Sequence, residues 1–192
     1  KRGSMSHFSF SSSPTENDLA FTCRIREESG YKKTLDKMII GDIILARGPS
    51  GILNMENDVT NPQVFLAGGI GITPFRSRIK YITDNNLNIE ILLLYSNSHT
   101  EEISFKEEFD ILTGAYRNFK VEYVVNDPLG SKLLWTGRVG RINADIIQKL
   151  TDIKISTFWV CGPPSMVSAM EEILSGLQVP EEKVKIEKFT GY

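Results

Sequence analysis

The first part of the chain alternates apolar and polar residues in a way that the rest does not. Two alternating stretches, at residues 7–12 and 19–26, are rich in aromatic and β-branched types, which predicts strands. An apolar stretch at 43–46 predicts another strand between glycine-containing turns. Ser29 is placed to cap a short helix between them. This region is therefore predicted to be β-rich, and a polar linker at 54–61 follows it.

From residue 62 onward, apolar strands alternate with amphipathic helices. This alternation indicates a parallel sheet with crossover helices. Thr73 is expected to cap the first of these helices, with Pro74 in its first turn. A long loop at 127–140 carries Trp135. The predicted strands are 64–67, 89–95, 120–125, 157–161 and 184–189, and the predicted helices after the first are 104–113, 143–150 and the segment from 162. The fold class is therefore predicted as α/β, with a doubly wound five-stranded parallel sheet.

The amino-acid composition excludes several classes of function. The 192 residues are 41% hydrophobic and 24% charged with a net charge of -2, and no basic stripe indicates a nucleic-acid partner. No apolar run approaches the roughly 18 residues of a membrane span, and no signal peptide pattern opens the chain. Cys23 and Cys161 are too few for an iron–sulfur or cysteine-rich zinc site, and His7 and His99 stand alone. We therefore expect a cytoplasmic protein with no metal, membrane or nucleic-acid partner.

A glycine-rich turn connects the first apolar strand to its helix. Gly68, Gly69 and Gly71 permit close backbone approach, and the helix start offers free N–H groups to a negative charge. The alternative is a tight strand-to-helix turn without a ligand. The position directly after an apolar strand favours a phosphate-binding turn.

A second turn, at residues 160–166, follows another buried strand. Cys161 closes that strand and should lie at the carboxyl edge of the sheet, where doubly wound sheets bind ligands. The alternative is a small buried residue under the next helix, which is the usual role of a single cysteine. Two such turns at one edge favour the ligand site.

Three other segments each allow two interpretations. Residues 8–14 alternate aromatic and hydroxyl side chains, as an ordinary half-buried strand also does. Lys32 and Lys33 lie in the first turn of a helix, where cations oppose the helix dipole unless an anionic phosphate binds there; the alternative is a solvated basic face. The aromatic and acidic tail at 187–192 could equally be an edge strand that frays.

Taken in order, these motifs resemble the ferredoxin–NADP reductase superfamily of flavin-dependent oxidoreductases. Residues 8–14 resemble its arginine-x-aromatic-serine flavin motif, 22–24 its next flavin-contacting strand, and 29–34 its FAD-pyrophosphate helix. The end of the flavin barrel and the nucleotide half are matched by residues 48–51, 68–74, 95–97, 161–164 and 187–189. The resemblance implies part of an antiparallel FAD-binding β-barrel in residues 1–57 and an NAD(P)-binding domain in 58–192.

The resemblance also implies an activity and a set of site residues. Hydride would pass between the nicotinamide and FAD, and electrons would leave to an external acceptor such as ferredoxin. Ser9, Cys161 and Glu187 would lie at the reacting atoms. The residues expected to bind FAD or the nicotinamide nucleotide are Phe8, Ser9, Ser12, Thr22, Arg24, Tyr31, Lys32, Lys33, Thr34, Gly69, Gly71, Ile72, Thr73, Pro74, Ser96, Asn97, Cys161, Gly162, Pro163, Met166, Phe189 and Tyr192.

Some positions depart from the family pattern. Ser6 stands where the motif has arginine, and only about half of a flavin barrel precedes the linker. We therefore expect weakened FAD retention unless another chain, such as a second copy in a homodimer, supplies the missing strands. Residue 98 is serine and not an arginine that would clamp a 2′-phosphate, but Arg76 or Lys106 could substitute, which favours NADP slightly over NAD.

Two alternatives to this oxidoreductase remain. A reductase of free flavin would hold flavin only as a substrate, and the thin barrel favours it. A non-catalytic nucleotide-binding or electron-transfer subunit would complete its flavin site with another chain, docking through the open barrel edge.

Overall fold

The computed structural model describes residues 6–25, 28–51 and 60–189. In these residues an all-parallel sheet has six strands in the order β4-β3-β2-β1-β5-β6. The strands are β1 (Gln63–Gly68), β2 (Ile91–Asn97), β3 (Phe119–Val125), β4 (Arg138–Val139), β5 (Thr157–Gly162) and β6 (Val184–Lys188). The α-helices are α1 (Gly30–Asp36), α2 (Thr73–Asp84), α3 (Lys106–Ala115), α4 (Ala144–Leu150) and α5 (Pro164–Gly176).

Helices cover both faces of the sheet. Every residue of β1 and β5 is buried, as expected for central parallel strands. The apolar side chains of α2 and α3 pack in one core, and those of α4 and α5 pack in a second core on the opposite face. The chain builds the sheet outward from β1 through β4 and then returns to add β5 on the other side of β1. The strand order therefore reverses between β1 and β5, and this reversal is where open α/β sheets form a ligand crevice.

The predicted doubly wound α/β fold is confirmed, with one strand more than predicted. All five predicted strands form, with ends that differ from the prediction by at most two residues. The sixth strand, β4, lies within the predicted loop at 127–140, where Val139 pairs with Val125. A two-residue edge strand is too short to produce a hydrophobic period, so the sequence pattern could not reveal it.

The start of α2 differs from the prediction. Thr73 is the first helical residue and not the cap; Ile72 occupies the cap position without a side-chain hydrogen bond. A 3₁₀ turn over Gly69–Ile72 precedes the helix, so the chain is already helical when it reaches Thr73. The Thr73 hydroxyl therefore donates backward to the Ile70 carbonyl at 3.1 Å instead of accepting from a forward amide.

The described residues before 52 form less β-structure than predicted. The two alternating stretches meet in one antiparallel bridge, Phe10 with Phe21. The predicted strand at 43–46 is not formed, and the side chains of Ile43 and Leu45 are 87% and 95% exposed, because no strand in the described part of the chain pairs with them. The Ser29 cap is confirmed, since its hydroxyl accepts from the Lys32 amide at 3.2 Å.

Two further predictions fall partly outside the described residues. The domain boundary between 57 and 58 lies within residues 52–59, and the end of the stretch at 19–26 also lies outside the described ranges. The division into two domains therefore stays a prediction. No helix in the described ranges is long and apolar enough to cross a membrane.

Candidate functional site

The two predicted glycine turns pack against each other at the carboxyl edge of the sheet. A Cβ on Gly71 would lie 2.3 Å from the Cys161 carbonyl oxygen, and one on Gly162 would lie 3.1 Å from the Gly68 Cα. A Cβ on Gly68 would lie 2.9 Å from the Met166 sulfur. The approach of Gly71 to the Cys161 backbone admits only glycine, and the turns after β1 and β5 form one continuous surface at the reversal of strand order.

Gly69 differs from the other glycines of the turn. Its φ is +51°, in the left-handed region, and no atom lies within 4 Å of the position that a Cβ would occupy. On the protein side, the Tyr95 hydroxyl donates to the Gly69 carbonyl at 3.0 Å. The turn is thus fixed from beneath and open on its other side, which is the arrangement that a phosphate-binding backbone requires.

Predicted residues at the end of β2 lie beside this turn. Ser96 pairs in register with Gly68. Asn97 is 3% exposed, and neither polar atom of its side chain has a hydrogen-bond partner in the described part of the chain, although the Tyr95 hydroxyl is close. The Thr100 hydroxyl is likewise buried without a partner there. An unpaired buried polar group costs about 1–3 kcal/mol, so these groups fit a site that a polar ligand completes.

A cleft of about 250 Å³ separates the glycine turn from the N-terminal segment. Arg24 and Glu102 form a salt bridge of 3.2 Å beside it, connecting the two parts of the chain. The cleft is lined by Thr22, Cys23, Arg24, Ile70, Glu101, Glu102 and Ser104. It therefore carries charges of both signs directly next to the turn.

A larger, open pocket of about 490 Å³ shares Thr22 and Cys23 with this cleft. Most of the residues that line it are apolar, although its surface also includes polar atoms; they are Phe21, Thr22, Cys23, Ile25, Leu35, Asp36, Met38 and Ile44. The size and apolar lining suit a planar ring system. Burial raises the pKa of the Cys23 thiol, and the charge of nearby Lys32 opposes this rise in part. These groups fit part of a flavin nucleotide, with Thr22 as a predicted residue that lines both cavities.

Several other predicted flavin residues make contacts within the chain. The Phe8 ring stacks on Phe21 at 4.8 Å and on Tyr31 at 6.0 Å between centroids. The Ser12 hydroxyl accepts from the Ala20 amide at 2.8 Å. The Thr34 hydroxyl donates to a carbonyl of its own helix. Ser9 is half-buried and Lys33 is exposed. Phe8 and Tyr31 are brought together, whereas Ser12 and Thr34 serve local structure in this arrangement.

Cys161 and Glu187 are neighbours across β5 and β6. Their Cα atoms pair in register, and Cys161 has no exposed surface. Burial, together with the nearby Glu187 charge, raises the pKa of the Cys161 thiol, so the thiol is neutral. Burial also raises the pKa of Glu187. Phe189 donates its amide to the Gly162 carbonyl at 3.1 Å, and Tyr192 lies outside the described residues.

The remaining predicted residues lie around the same two turns. Ile72 is buried in the core beneath α2, and Pro74 is in the first turn of that helix. Pro163 precedes α5, and its ring would be 3.0 Å from a Cβ on Gly68. Sequence reasoning missed Tyr95 as a support of the turn. The signal was present, because Tyr95 is a polar aromatic residue at the end of an otherwise aliphatic buried strand.

The two cations suggested for a 2′-phosphate are engaged elsewhere. Arg76 pairs with Glu16 and Glu108, and Lys106 pairs with Asp110 at 2.6 Å. The structural reason given for NADP is therefore not supported. In the described ranges, no group of three or more His, Cys, Asp or Glu side chains is placed to hold a metal ion.

Comparison with known proteins identifies the family. Residues 65–172 match the model of the oxidoreductase NAD-binding domain, which is more than half of the chain. The chain belongs to this family. It is 34% identical over 181 residues to NADH-cytochrome b5 reductase 1 of Mortierella alpina, covering 91% of the chain and 58% of that relative. It is 35% identical over 164 residues to the Dictyostelium discoideum protein of the same name, covering 84% and 56%. The chain thus spans a little over half the length of these curated relatives.

Solved structures share the fold. The cytochrome b5 reductase domain of Ulva prolifera nitrate reductase matches with a TM-score of 0.79 and 19% identity, covering 94% of the chain and 76% of that domain. A ferredoxin NADP+ reductase of Neisseria gonorrhoeae with bound FAD and NADP matches with a TM-score of 0.76 and 20% identity, covering 94% and 78%. These structures show the shared fold; together with the family match and the curated relatives, they confirm the predicted membership of the ferredoxin–NADP reductase superfamily.

Proposed function

We propose that this chain carries the nicotinamide site and part of the flavin site of an NADH-dependent flavin oxidoreductase that reduces a haem protein of the cytochrome b5 type. The observation that carries the proposal is the joined pair of glycine turns at the reversal of strand order, with an open face at Gly69. The names of relatives at 34–35% identity support the activity.

Each part of the site has a proposed role. The backbone of Gly69 and Gly71 binds the pyrophosphate of the dinucleotide, and Asn97 hydrogen-bonds the adenosine half. Thr73 and the Cys161 turn lie toward the nicotinamide. FAD, when bound, supplies the step from hydride to single-electron chemistry. The chain itself binds, orients and shields the reactants from water, and the neutral, buried Cys161 contributes packing and no nucleophile.

We propose NADH and not NADPH as the reductant. Both candidate clamps for a 2′-phosphate, Arg76 and Lys106, already pair with carboxylates. The cleft beside the turn has the carboxylates of Glu101 and Glu102 in its walls. Glu102 there is paired with Arg24 at 3.2 Å, so the Glu101 carboxylate is the charge that would repel a doubly charged 2′-phosphate, whereas the ribose hydroxyls of NADH could donate to it. This proposal reverses the preference for NADP that Arg76 and Lys106 favour in the sequence.

The proposed acceptor is a haem protein and not the ferredoxin expected from the sequence. The curated relatives quoted above are named for cytochrome b5, whereas the ferredoxin reductase match is below 25% identity and supports the fold alone. A soluble cytochrome b5, a ferredoxin and ferricyanide are the acceptors to compare.

The test is a steady-state assay of the FAD-loaded chain with each reductant and each acceptor. We expect kcat/KM for NADH to exceed that for NADPH by about tenfold or more, a difference of about 1.4 kcal/mol. We also expect faster reduction of cytochrome b5 than of ferredoxin. A preference for NADPH, or reduction of ferredoxin alone, would overturn the corresponding part of the proposal. Direct NADH binding measured without an acceptor separates a failed site from a wrong acceptor.

A reductase of free flavin is the second candidate. The exposed side chains of Ile43 and Leu45 favour it, because the flavin side of the molecule is open. In that case turnover would saturate with added flavin and the purified chain would retain none. A non-catalytic subunit would bind NADH and show no diaphorase activity at any flavin concentration.

A further inference from the structure

Tyr95 lies directly beneath the phosphate-binding turn. Its side chain has no exposed surface, and its hydroxyl donates to the Gly69 carbonyl at 3.0 Å. The residue is fixed in the sheet, where its backbone pairs with Ala67 of β1. Burial raises the pKa of Tyr95 to about 12, so the hydroxyl is a permanent donor near neutral pH.

The hydrogen bond, together with the 3₁₀ turn over Gly69–Ile72, fixes which way the next amide points. A trans peptide is planar, so the N–H of Ile70 points opposite to the carbonyl of Gly69. With that carbonyl held against Tyr95, the Ile70 N–H must point away from Tyr95. Ile70 lines the 250 Å³ cleft, and the space above Gly69 is open. The amide is therefore available to an anion on the ligand side of the turn.

The 3₁₀ turn over Gly69–Ile72 also engages the Gly69 carbonyl through the backbone, so the Tyr95 hydroxyl is a second donor that opposes rotation of this peptide. Gly69 has a φ of +51°, and glycine passes between backbone regions that other residues cannot reach. A rotated Gly69–Ile70 peptide would present a carbonyl oxygen to the ligand, and an electron-rich oxygen repels a phosphate. The other turn carbonyl, on Ile70, is already held by the Thr73 hydroxyl and amide.

We propose that Tyr95 is a positioning residue that holds the Gly69–Ile70 peptide with its N–H toward the cleft, so that the turn binds a nucleotide diphosphate. This inference rests on the proposed function and adds to it a residue beneath the turn on which phosphate binding depends.

The experiment compares Tyr95→Phe with Tyr123→Phe. Tyr123 is the matched control, because its hydroxyl donates to the Asp110 carboxylate at 2.9 Å, away from the turn, while its ring is 6.4 Å from that of Tyr95. The probe is ADP-ribose, titrated by calorimetry and followed at the Ile70 amide by NMR. We expect Tyr95→Phe to raise the Kd for ADP-ribose about five- to tenfold, as loss of one oriented hydrogen bond implies, and Tyr123→Phe to leave it unchanged. In the loaded enzyme, KM for NADH should rise while kcat stays constant.

The outcomes separate this inference from the proposed function. If wild-type protein binds neither NADH nor ADP-ribose, both fail. If wild-type protein binds and Tyr95→Phe binds equally well, only the role of Tyr95 is overturned. Equal losses in the two variants would also overturn it, because they would indicate a general loss of packing.

Discussion

Arg76 joins the N-terminal segment to the nucleotide-binding part, and replacing it tests how the two parts are held together. Its guanidinium donates to the Ser11 carbonyl at 3.0 Å, pairs with both oxygens of Glu16, and binds Glu108 of α3. The Arg76 side chain is only 13% exposed. Arg76→Met keeps an unbranched apolar side chain and removes every one of these hydrogen bonds.

The structure sets the size of the expected effect. An exposed ion pair contributes about 0–1 kcal/mol, whereas removing one partner of a fully buried pair costs about 3–5 kcal/mol. The carboxylates of Glu16 and Glu108 are 30% and 28% exposed, which places Arg76 between these limits. We therefore expect Arg76→Met to lower the free energy of unfolding by about 2–3 kcal/mol. For a chain of this size, that corresponds to a fall in Tm of about 4–12 °C.

The assay is urea unfolding followed by circular dichroism, with Arg138→Met as the control. Arg138 pairs with Glu122 at 2.9 Å, but the two side chains are 40% and 31% exposed, so its loss should cost about 1 kcal/mol or less. Limited proteolysis should also cut the N-terminal segment faster in Arg76→Met. Equal unfolding midpoints for the two variants would refute the conclusion that Arg76 fastens the segment.

The same ion pair predicts a dependence on pH. The hydrogen bond from Arg76 lowers the pKa of Glu16 below its ordinary value of 4.5. The stabilisation is therefore complete above pH 4.5 and is lost as the pH falls through the lower, folded-state pKa. The difference between wild type and Arg76→Met should accordingly shrink in acid, and a difference that grows there would contradict this assignment.

Three further predictions concern the glycine turns and the strands beside them. Gly71→Ala places a methyl carbon 2.3 Å from the Cys161 carbonyl oxygen, so the free energy of unfolding should fall by about 1–3 kcal/mol and ADP-ribose binding should weaken. The control is Gly114→Ala, which adds its methyl group in open space on α3 and should leave binding unchanged. Burial raises the pKa of Glu187 above 4.5, so ionisation of its carboxyl group lowers the free energy of unfolding as the pH rises through the folded-state pKa. Glu187→Gln should therefore raise Tm at pH 8 and not at pH 4. Maleimide should label Cys23 in the native protein and Cys161 only after unfolding, as intact-mass measurement would show.

Local sequence patterns predicted the structure correctly where a segment's own residues determine it. The buried strands could be predicted because every residue of β1 is apolar or small after Gln63, and both glycine turns because each follows such a strand. The stretch at 43–46 has the same apolar character but forms no strand, since strands require a neighbour that pairs with them. Edge strand β4 shows the opposite: its two residues have no strand pattern of their own, and they form a strand because they pair with β3.

The preference between NADH and NADPH shows why the site was harder to predict than the fold. Arg76 lies in α2 and Lys106 at the start of α3, and cations bind phosphates, so their presence favoured NADP. Folding engages both, since Arg76 pairs with a carboxylate 60 residues away and Lys106 with one on the next turn of its own helix. A charge contributes to recognition only while it is not already neutralised. By the same criterion Glu102, which pairs with Arg24, is also engaged. The proposed preference for NADH therefore rests on the paired state of Arg76 and Lys106 and on the Glu101 carboxylate beside the turn.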